Sequence, residues 1–415
     1  MAMDVSAVRR QFPALRRGDA FFDAPGGTQV PQRVIDRMTG YLTSCNANRG
    51  GAFATSRESD RLLEESRAAL ATFFGAAEPE EIVFGPNMTS LTFQISRALA
   101  REFLPGDEIV VTRLDHDANV SPWRLVAEDR GCLVRWVDFD PEDCTLDLRS
   151  LEAALGPRTR LVAVGYASNA VGTVNPVADI IRMAHAVGAL CYVDAVHFAP
   201  HRRIDVAALD CDFLVTSAYK FFGPHLGVLY GRRALLERLR AYKVRPASDS
   251  APGKFETGTQ LHENIVGALG AVEYLAGLSG ETSGDLGPRL DAAFREIRST
   301  EDRLTDALLD SLAAIPGFRI YGIVEPKQRA DRLPTVSFTV EGHAPASVAA
   351  HLAADGIYVW DGNFYALAVT ERLGLEDEGG LVRVGAVHYN TLEEVERLAA
   401  SLRSLGRKGK AQADI

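Results

Sequence analysis

The sequence contains few cysteines, and they are scattered along the chain. The five are odd in number and show no C-x-x-C spacing, so neither a disulfide framework nor a zinc site is indicated. We interpret them as reduced thiols in a cytosolic protein. They are Cys45, Cys132, Cys144, Cys191 and Cys211.

Long apolar runs and clusters of positive charge are also missing. No stretch reaches the roughly 18 apolar residues that a membrane-spanning helix needs, and the opening segment MAMDVSAVRRQFPAL lacks the apolar core of a secretion signal. The net charge is -10, with no basic stripe, which argues against a nucleic-acid partner. These absences predict a cytoplasmic protein that binds neither nucleic acid nor membrane.

The chain does have the length and composition of an ordinary globular protein. Its 415 residues, 47% hydrophobic and 24% charged, are enough to form two domains. Short apolar segments alternate with segments of helical periodicity, which predicts a mostly parallel sheet between helices. Sites in such sheets form at the carboxyl ends of the strands.

A single lysine follows one of the predicted strands. The apolar residues Phe213–Val215 lead through a short turn to Lys220, which stands between Tyr219 and Phe221. Desolvating an ammonium is costly, so a lysine in this setting indicates a use for the neutral amine, as a nucleophile that forms a Schiff base. On this segment alone, a loop lysine that extends to solvent is the better interpretation.

A carboxylate ends the preceding predicted strand. In the segment LCYVDAVH, Asp194 closes the strand and His197 follows three positions later. An acid at one strand end and a lysine at the next is the spacing of pyridoxal phosphate (PLP) enzymes, where the acid keeps the pyridinium protonated and the lysine carries the cofactor. The pair therefore predicts PLP as the cofactor.

The segments VDAVH and TSAYKFFGPHLGVLY closely resemble the aspartate and lysine motifs of the class V aminotransferase family, in particular its cysteine desulfurase and selenocysteine lyase branch. The resemblance extends from about Phe21 to about Leu402. It implies an α/β protein of PLP-dependent transferase fold type I, with a mostly parallel seven-stranded sheet and a smaller α+β C-terminal domain. We expect a lead-in at 1–20, the large PLP-binding domain at 21–280, the small domain at 281–405 and a flexible tail at 406–415.

The resemblance also implies which residues hold the cofactor. Lys220, His116 and Asp194 would be the catalytic residues, with His116, in the stretch DHDAN, stacked over the pyridine ring. The implied cofactor-binding residues are Met88, Thr89, His116, Asn169, Asp194, His197, Ser217, Tyr219, Lys220 and Thr259.

Four of these positions leave questions open. His197 stands where desulfurases commonly carry a glutamine, and Tyr219 replaces an expected histidine, although both side chains can donate a hydrogen bond. Thr89 is also a candidate N-cap. Asn169 could instead satisfy its own turn.

An amino-acid substrate and a second copy of the chain are the implied partners. Arg383, in LVRVG, matches the arginine that clamps the substrate carboxylate, for which a planar guanidinium is suited; the alternative is a strand arginine paired with Glu378. Arg49 and Thr259 match residues that reach the neighbouring subunit, which implies a homodimer with shared sites. Arg49 is otherwise a surface arginine. The implied substrate-binding residues are Arg383, Asn169, Arg49, Tyr365 and Gly27, the last in a turn that could equally be a plain tight loop.

One position departs from the desulfurase pattern in a way that affects the reaction. Desulfurases place a catalytic cysteine in a loop of the form G-x-x-C-A, because a thiolate must attack the substrate sulfur. Here residues 361–366 are DGNFYA, so Tyr365 stands in the place of the cysteine. Cys45 is the one other candidate thiol. We expect a C–S lyase that works by β-elimination through a Schiff base, without persulfide transfer.

Other functions stay open at this point. A true cysteine desulfurase or selenocysteine lyase with another thiol, an aminotransferase and an epimerase would all use the same carbanion. A PLP-binding scaffold or sensor is the non-enzymatic alternative. The presence of the lysine, the acid and the ring histidine together favours an enzyme.

Overall fold

The computed structural model describes residues 3–280 and 283–413, with the backbone alone described from residue 406. The predicted domain boundary at residue 281 and the last two residues of the predicted tail lie outside these ranges. Within them, no helix combines the length and apolarity needed to cross a membrane.

The helices are numbered in chain order. They are α1 (Val5–Arg10), α2 (Gln32–Ser44), α3 (Ala54–Phe74), α4 (Met88–Ala100), α5 (Ser121–Arg130), α6 (Leu148–Ala154), α7 (Val177–Ala186), α8 (Val206–Leu209), α9 (Arg233–Arg238), α10 (His262–Gly277), α11 (Leu286–Ala313), α12 (Pro345–Ala354), α13 (Leu367–Leu373) and α14 (Leu392–Ala413).

The strands form three sheets. They are β1 (Ala20–Phe21), β2 (Ile82–Gly85), β3 (Glu108–Thr112), β4 (Leu133–Val137), β5 (Thr159–Gly165), β6 (Leu190–Asp194), β7 (Phe213–Ser217), β8 (Gly227–Gly231), β9 (Phe318–Tyr321), β10 (Thr335–Val340), β11 (Ile357–Tyr358), β12 (Trp360–Gly362) and β13 (Leu381–Gly385).

The largest sheet has seven strands in the order β2-β8-β7-β6-β5-β3-β4. Strands β7, β6, β5, β3 and β4 pair in parallel, whereas β8 runs antiparallel to both β2 and β7. This confirms the predicted α/β fold with a mostly parallel seven-stranded sheet. The site motifs follow the carboxyl ends of β2, β3, β5, β6 and β7, and these ends share one edge of the sheet.

Alternating side chains bury both faces of this sheet. Along β3, Ile109 and Val111 join one hydrophobic cluster, while Val110 joins the other. Near-continuous apolar strands are expected where helices cover both faces. The long helix α11 packs on α3 and α10 of the large domain and on α14.

The C-terminal part of the chain forms an antiparallel sheet in the order β12-β13-β10-β9. Leu304, Val336, Phe338, Val382 and Leu398 belong to its separate core. The N-terminal strand β1 pairs in parallel with β11 of this region. These two strands form a sheet of their own. Asp23 forms a bridge with Gly385, which places the segment before the glycine-rich turn against the end of β13, the strand that carries Arg383.

Helix α14 extends further than the sequence indicates. We predict a flexible tail from residue 406, whereas the helical backbone continues to Ala413. Lysine, arginine, glutamine and alanine dominate this stretch, and all four have high helix propensity. A composition typical of a polar tail is thus compatible with the extension of an existing helix.

A buried arginine links the large sheet to the C-terminal region. Arg332 is 1% exposed, and its guanidinium donates to the carbonyl oxygens of Ile323, of Thr335 (2.6 Å) and of Val171 (3.2 Å). Val171 lies in the loop after β5, while Thr335 begins β10. One side chain therefore joins a site loop to the small-domain sheet.

Replacing Arg332 with methionine leaves these buried carbonyl oxygens without their donor. We expect Arg332→Met to lower the free energy of unfolding by about 2 to 4 kcal/mol, measured by urea denaturation of the apoprotein. Arg329→Met is the matched control, because its guanidinium pairs with the exposed Asp306 and Asp310; it should cost less than about 1 kcal/mol. Equal losses in the two variants would contradict a linking role for Arg332.

Candidate active site

The strand ends enclose a cavity of about 1430 Å³. Loops after five strands of the large sheet supply its floor, and β12, β13 and the loop between β12 and α13 supply its outer wall. Most of the site residues that the sequence indicates line it: Met88, Thr89, His116, Asn169, Asp194, His197, Ser217, Tyr219, Lys220, Tyr365 and Arg383.

Lys220 lies on the cavity floor. It ends the 3-10 turn Ala218–Lys220 that follows β7, and its Nζ donates to the Pro25 carbonyl oxygen of the glycine-rich turn. Burial lowers the pKa of Lys220 to about 7; the charge of Arg383 lowers it further, while Asp194 and Asp23 oppose this. A substantial fraction of the amine is therefore neutral near pH 7, as a nucleophile or base requires.

Asp194 closes β6 next to this lysine. One of its oxygens, Oδ1, accepts the Val196 backbone N–H at 2.9 Å, and burial raises the pKa of the carboxyl to about 6. A cationic ring nitrogen placed against Asp194 would bring that pKa back down, because an opposite charge favours the carboxylate.

A second carboxyl group lies close to Asp194. Burial raises the pKa of Asp115 to about 8, and its Oδ2 accepts the Thr112 hydroxyl at 2.6 Å. A side chain added at Gly165 would collide with Asp115, so the bare glycine at the end of β5 permits the approach. Asp115 is therefore largely protonated at neutral pH, and the acid that remains for a cation is Asp194.

His116 lies above the floor as the N-cap of the 3-10 turn Asp117–Asn119. Its Nδ1 accepts the Ala118 backbone N–H at 3.0 Å, and burial lowers the pKa of the imidazole to about 4. A neutral ring whose Nδ1 accepts must carry its proton on Nε2. His116 thus presents an N–H donor rather than a charge.

The turn before α4 is arranged to hold an anion. Asn87, not Thr89, is the N-cap: its Oδ1 accepts the Ser90 N–H at 2.9 Å. The Met88 N–H donates to the Ser217 hydroxyl at 3.0 Å, which joins this turn to the end of β7. The first turn of a 13-residue helix therefore faces the cavity beside a serine hydroxyl, a geometry suited to phosphate.

Asn169 and His197 link the floor to the outer wall. The Asn169 Nδ2 donates to the Phe364 carbonyl oxygen at 2.9 Å, so this side chain does not satisfy its own turn. Its Oδ1 is buried without a hydrogen-bond partner in the described structure. His197 shares a 3.0 Å hydrogen bond with the Thr335 hydroxyl, and burial holds its pKa well below the usual range.

Arg383 faces the cavity from β13. Its Nη1 donates to the Asn169 carbonyl oxygen at 2.9 Å, and its guanidinium lies 4.1 Å from the centre of the Phe364 ring. Burial lowers the pKa of Arg383 to about 9, and the charge that opposes this comes from Asp23 rather than Glu378. The Nε is buried without an acceptor in the described chain, so a donor is left over for a ligand carboxylate.

Three residues predicted for the site are not among the residues that line this cavity. Arg49 is exposed, and its Nε pairs with Asp60 at 3.1 Å. Thr259 is exposed in the loop before α10. Gly27 packs against the Tyr219 ring, and its neighbour Gly26 lines the cavity instead.

Several lining residues were not predicted from the sequence. Asp115 directly precedes His116, and this position in the sequence is the signal that could have indicated it. Its protonation depends on burial, which the sequence does not show. Phe364 directly precedes Tyr365, which occupies the position that matches the desulfurase cysteine. The further lining residues that sequence analysis missed include Pro25, Phe93, Asp117, His225 and Trp360.

The residues present fit PLP. The cavity contains an amine of lowered pKa, a strand-end carboxylate for a pyridinium, the start of helix α4 and a serine hydroxyl for a phosphate, and a ring that can stack. The unpartnered Asn169 Oδ1 and Arg383 Nε mark polar positions that a ligand would satisfy. No cluster of metal-ligating side chains is found in the part of the chain that the structure describes.

The surrounding charges should move the pKa of Lys220 in opposite directions. Asp194→Asn removes a negative charge that raises this pKa, so the pKa should fall; Arg383→Gln removes a positive charge that lowers it, so it should rise. The pH dependence of acylation of Lys220 in the apoprotein, followed by peptide mass spectrometry against added free lysine, measures both shifts. Unchanged values in both variants would contradict the proposed arrangement.

Comparison with known proteins identifies the family. The model of the class V aminotransferases matches residues 20–398. A cysteine desulfurase from Dickeya dadantii is 34% identical over 97% of each chain. An aminotransferase-like protein, FGM3, from Gibberella zeae is 35% identical over 97% of this chain and 98% of its own.

The structural comparison agrees with the sequence comparison. The apo structure of a cysteine desulfurase from Thermococcus onnurineus superposes with a TM-score of 0.86 at 28% identity, over 98% of both chains. The desulfurase CsdA from Escherichia coli gives a TM-score of 0.84 at 27% identity, over 97% of this chain and 98% of its own. The protein is thus a PLP-dependent enzyme of the class V aminotransferase family, in its cysteine desulfurase-like branch.

Proposed function

We propose that the protein is a C–S lyase that acts on a cysteine-derived amino acid by β-elimination, without forming a persulfide on its own chain. The observation that carries this proposal is the side chain at position 365. Tyr365 lines the cavity and is 74% exposed, at the position compared with the desulfurase cysteine. A phenol does not accept sulfane sulfur.

The available thiols support the same proposal. Among the described residues that line the cavity, none is a cysteine. Cys45 is buried at the C-terminal end of α2, and burial raises the pKa of its thiol. The thiolate is the nucleophile, so a raised pKa makes Cys45 a poor acceptor of sulfur.

The side chains that line the cavity have the properties that an elimination needs. Bound PLP would supply an electron sink that stabilises negative charge at the substrate α-carbon, and Asp194 would keep its ring nitrogen protonated. Arg383 orients the substrate by its carboxylate. The neutral Lys220 amine takes the α-proton, the freed electron pair forms the Cα–Cβ double bond, and sulfur leaves with the electrons of its bond to Cβ. The Lys220 ammonium formed in this way can then protonate the departing thiolate, towards which the Nε2–H of His116 can donate a hydrogen bond.

A second candidate is a true cysteine desulfurase. The 34% identity to a desulfurase over nearly the whole chain favours it, and it would need a thiol that reaches the cavity. Transamination and epimerisation would begin with removal of the same α-proton. For these two reactions, no residue of the site adds specific support.

We further propose a cytoplasmic homodimer in which Arg49 and Thr259 complete the site of the other copy. Both residues are exposed and lie away from their own cavity. The large apolar side chains of Phe53 (56% exposed) and Leu261 (41% exposed) are close to them in sequence. Exposed apolar side chains of this size are typical of a surface that a partner covers.

The lyase proposal is tested by identifying the product that contains the substrate sulfur. We expect the PLP-loaded enzyme to convert cysteine or an S-alkylcysteine to pyruvate, ammonia and the free thiol or sulfide, with no persulfide detected by alkylation and mass spectrometry. Cys45→Ser should keep kcat within about twofold.

Tyr365→Cys is the positive control, because it places a thiol at the position that matches the desulfurase cysteine. It should yield a detectable persulfide. A stoichiometric persulfide on the unaltered enzyme, formed as fast as turnover and lost in Cys45→Ser, would reject the lyase proposal in favour of a desulfurase.

A further inference from the structure

The loop of residues 362–366, here called the aromatic loop, has an uncommon backbone. Phe364 and Tyr365 both have φ of 57°, in the left-handed region that residues with a side chain rarely adopt. Two such residues in succession cost free energy and persist only where the surroundings hold them. Such conformations cluster at functional sites, and the contacts of this loop show what holds it.

Contacts within the small domain fix the start of the aromatic loop. The Asn363 Nδ2 donates to Glu376 Oε1 at 2.9 Å, and Asn363 Oδ1 accepts the Tyr365 backbone N–H at 3.1 Å. Gly380 packs so closely against Gly362 that a Cβ at Gly380 would collide with the Gly362 carbonyl.

Contacts with the large domain fix the two residues of left-handed conformation. The Phe364 carbonyl oxygen accepts the Asn169 Nδ2–H at 2.9 Å. The Tyr365 carbonyl oxygen accepts the Asp117 backbone N–H at 2.6 Å. The loop is thus attached to both domains across the cavity.

The backbone conformation of the aromatic loop directs the Phe364 ring at Arg383 and the Tyr365 ring at His116. The Phe364 ring lies 4.1 Å from the Arg383 guanidinium carbon. The Tyr365 ring stacks on the His116 imidazole, with ring centres 5.6 Å apart and planes inclined by 14°. Each ring therefore covers one face of a polar group that faces the cavity.

We propose that the aromatic loop is a fixed wall of the site, in which Phe364 positions Arg383 for the substrate carboxylate and Tyr365 positions His116 so that its Nε2–H donates a hydrogen bond to the departing sulfur. The proposal rests on the proposed function for the chemistry that these two groups perform. Neither aromatic residue needs to contact the reacting atoms. Both are positioning residues, in place of the nucleophile that a desulfurase carries here.

The two contacts have different physical consequences. An arginine that is covered on one face and anchored by Nη1 to the Asn169 carbonyl oxygen keeps its remaining donors directed at the cavity. An aromatic ring on His116 excludes water from the imidazole, which favours the neutral form. Loss of Phe364 should thus affect substrate binding, and loss of the Tyr365 ring should affect the departure of the sulfur.

Other charged groups around His116 act in both directions. Burial is the largest influence on its pKa; Lys220 and Arg383 also lower the pKa, while Asp117 raises it. Tyr365 acts on His116 through burial and stacking of its ring. A phenylalanine at position 365 retains both effects, whereas an alanine removes both.

Steady-state kinetics separate the two roles. Phe364→Ala should raise KM about three- to thirtyfold with a smaller change in kcat. Tyr365→Ala should lower kcat about ten- to a hundredfold with a smaller change in KM, and Tyr365→Phe should restore kcat. Leu367→Ala, at an exposed residue outside the cavity lining, is the matched control and should leave both constants unchanged.

A titration of the apoprotein tests the Tyr365 contact without any catalysis. With isotope-labelled histidine, the His116 signal in the NMR spectrum is assigned by its loss in His116→Gln. The pKa of about 4 should persist in Tyr365→Phe and rise towards the ordinary value of about 6.5 in Tyr365→Ala.

The outcomes distinguish this proposal from the function on which it rests. If lyase activity is absent but the His116 titration is as expected, the lyase function is rejected and the role of the aromatic loop as a fixed wall is retained. An unchanged His116 pKa in Tyr365→Ala, or a Tyr365→Phe variant as impaired as Tyr365→Ala, would overturn the positioning role of the ring. A Tyr365→Phe variant as impaired as Tyr365→Ala would show that Tyr365 acts through its hydroxyl. Equal effects of Phe364→Ala and Leu367→Ala on KM would overturn the role of Phe364.

Discussion

Burial of one amine at the end of β7 is the interaction on which the site depends. The structure places Lys220 where burial and the charge of Arg383 lower its pKa to about 7, against the opposing carboxylates of Asp194 and Asp23. An amine in bulk water would be almost fully protonated at that pH. The surrounding charges therefore do more than complete a pocket, because they set how much nucleophilic amine is present.

The groups that set the pKa of Lys220 come from two sheets. The lysine and the acid come from the large sheet, whereas Arg383 and the aromatic loop come from the small-domain sheet. Arg332, the His197–Thr335 hydrogen bond and the Asn169 contacts cross between them. The position of Arg383 relative to Lys220 thus depends on the contacts between the two sheets, and changes far from the cavity can alter it.

The order of the two strand-end residues, together with the family resemblance, was enough to predict that they lie in one site. Lys220 and Asp194 each follow a short apolar strand, and neighbouring parallel strands bring their ends together by geometry alone. Asp23, Asp115 and Phe364 could not be assigned in this way, because their roles depend on burial and on partners distant in the chain. Asn87 replaces Thr89 as the N-cap, which only the backbone geometry decides. The homodimer and the functions of Arg49 and Thr259 stay predictions.

The strand ends are proposed to form the PLP site, with Lys220 as the residue to which the cofactor is attached. Borohydride reduction of the purified, PLP-loaded protein, followed by peptide mapping, tests it most directly. We predict visible absorbance before reduction and the cofactor fixed to one peptide, the one that contains Lys220, with Asp194→Asn labelled in the same place and Lys220→Ala unlabelled. A cofactor fixed by borohydride in Lys220→Ala, or on another peptide of the unaltered protein, would contradict the account.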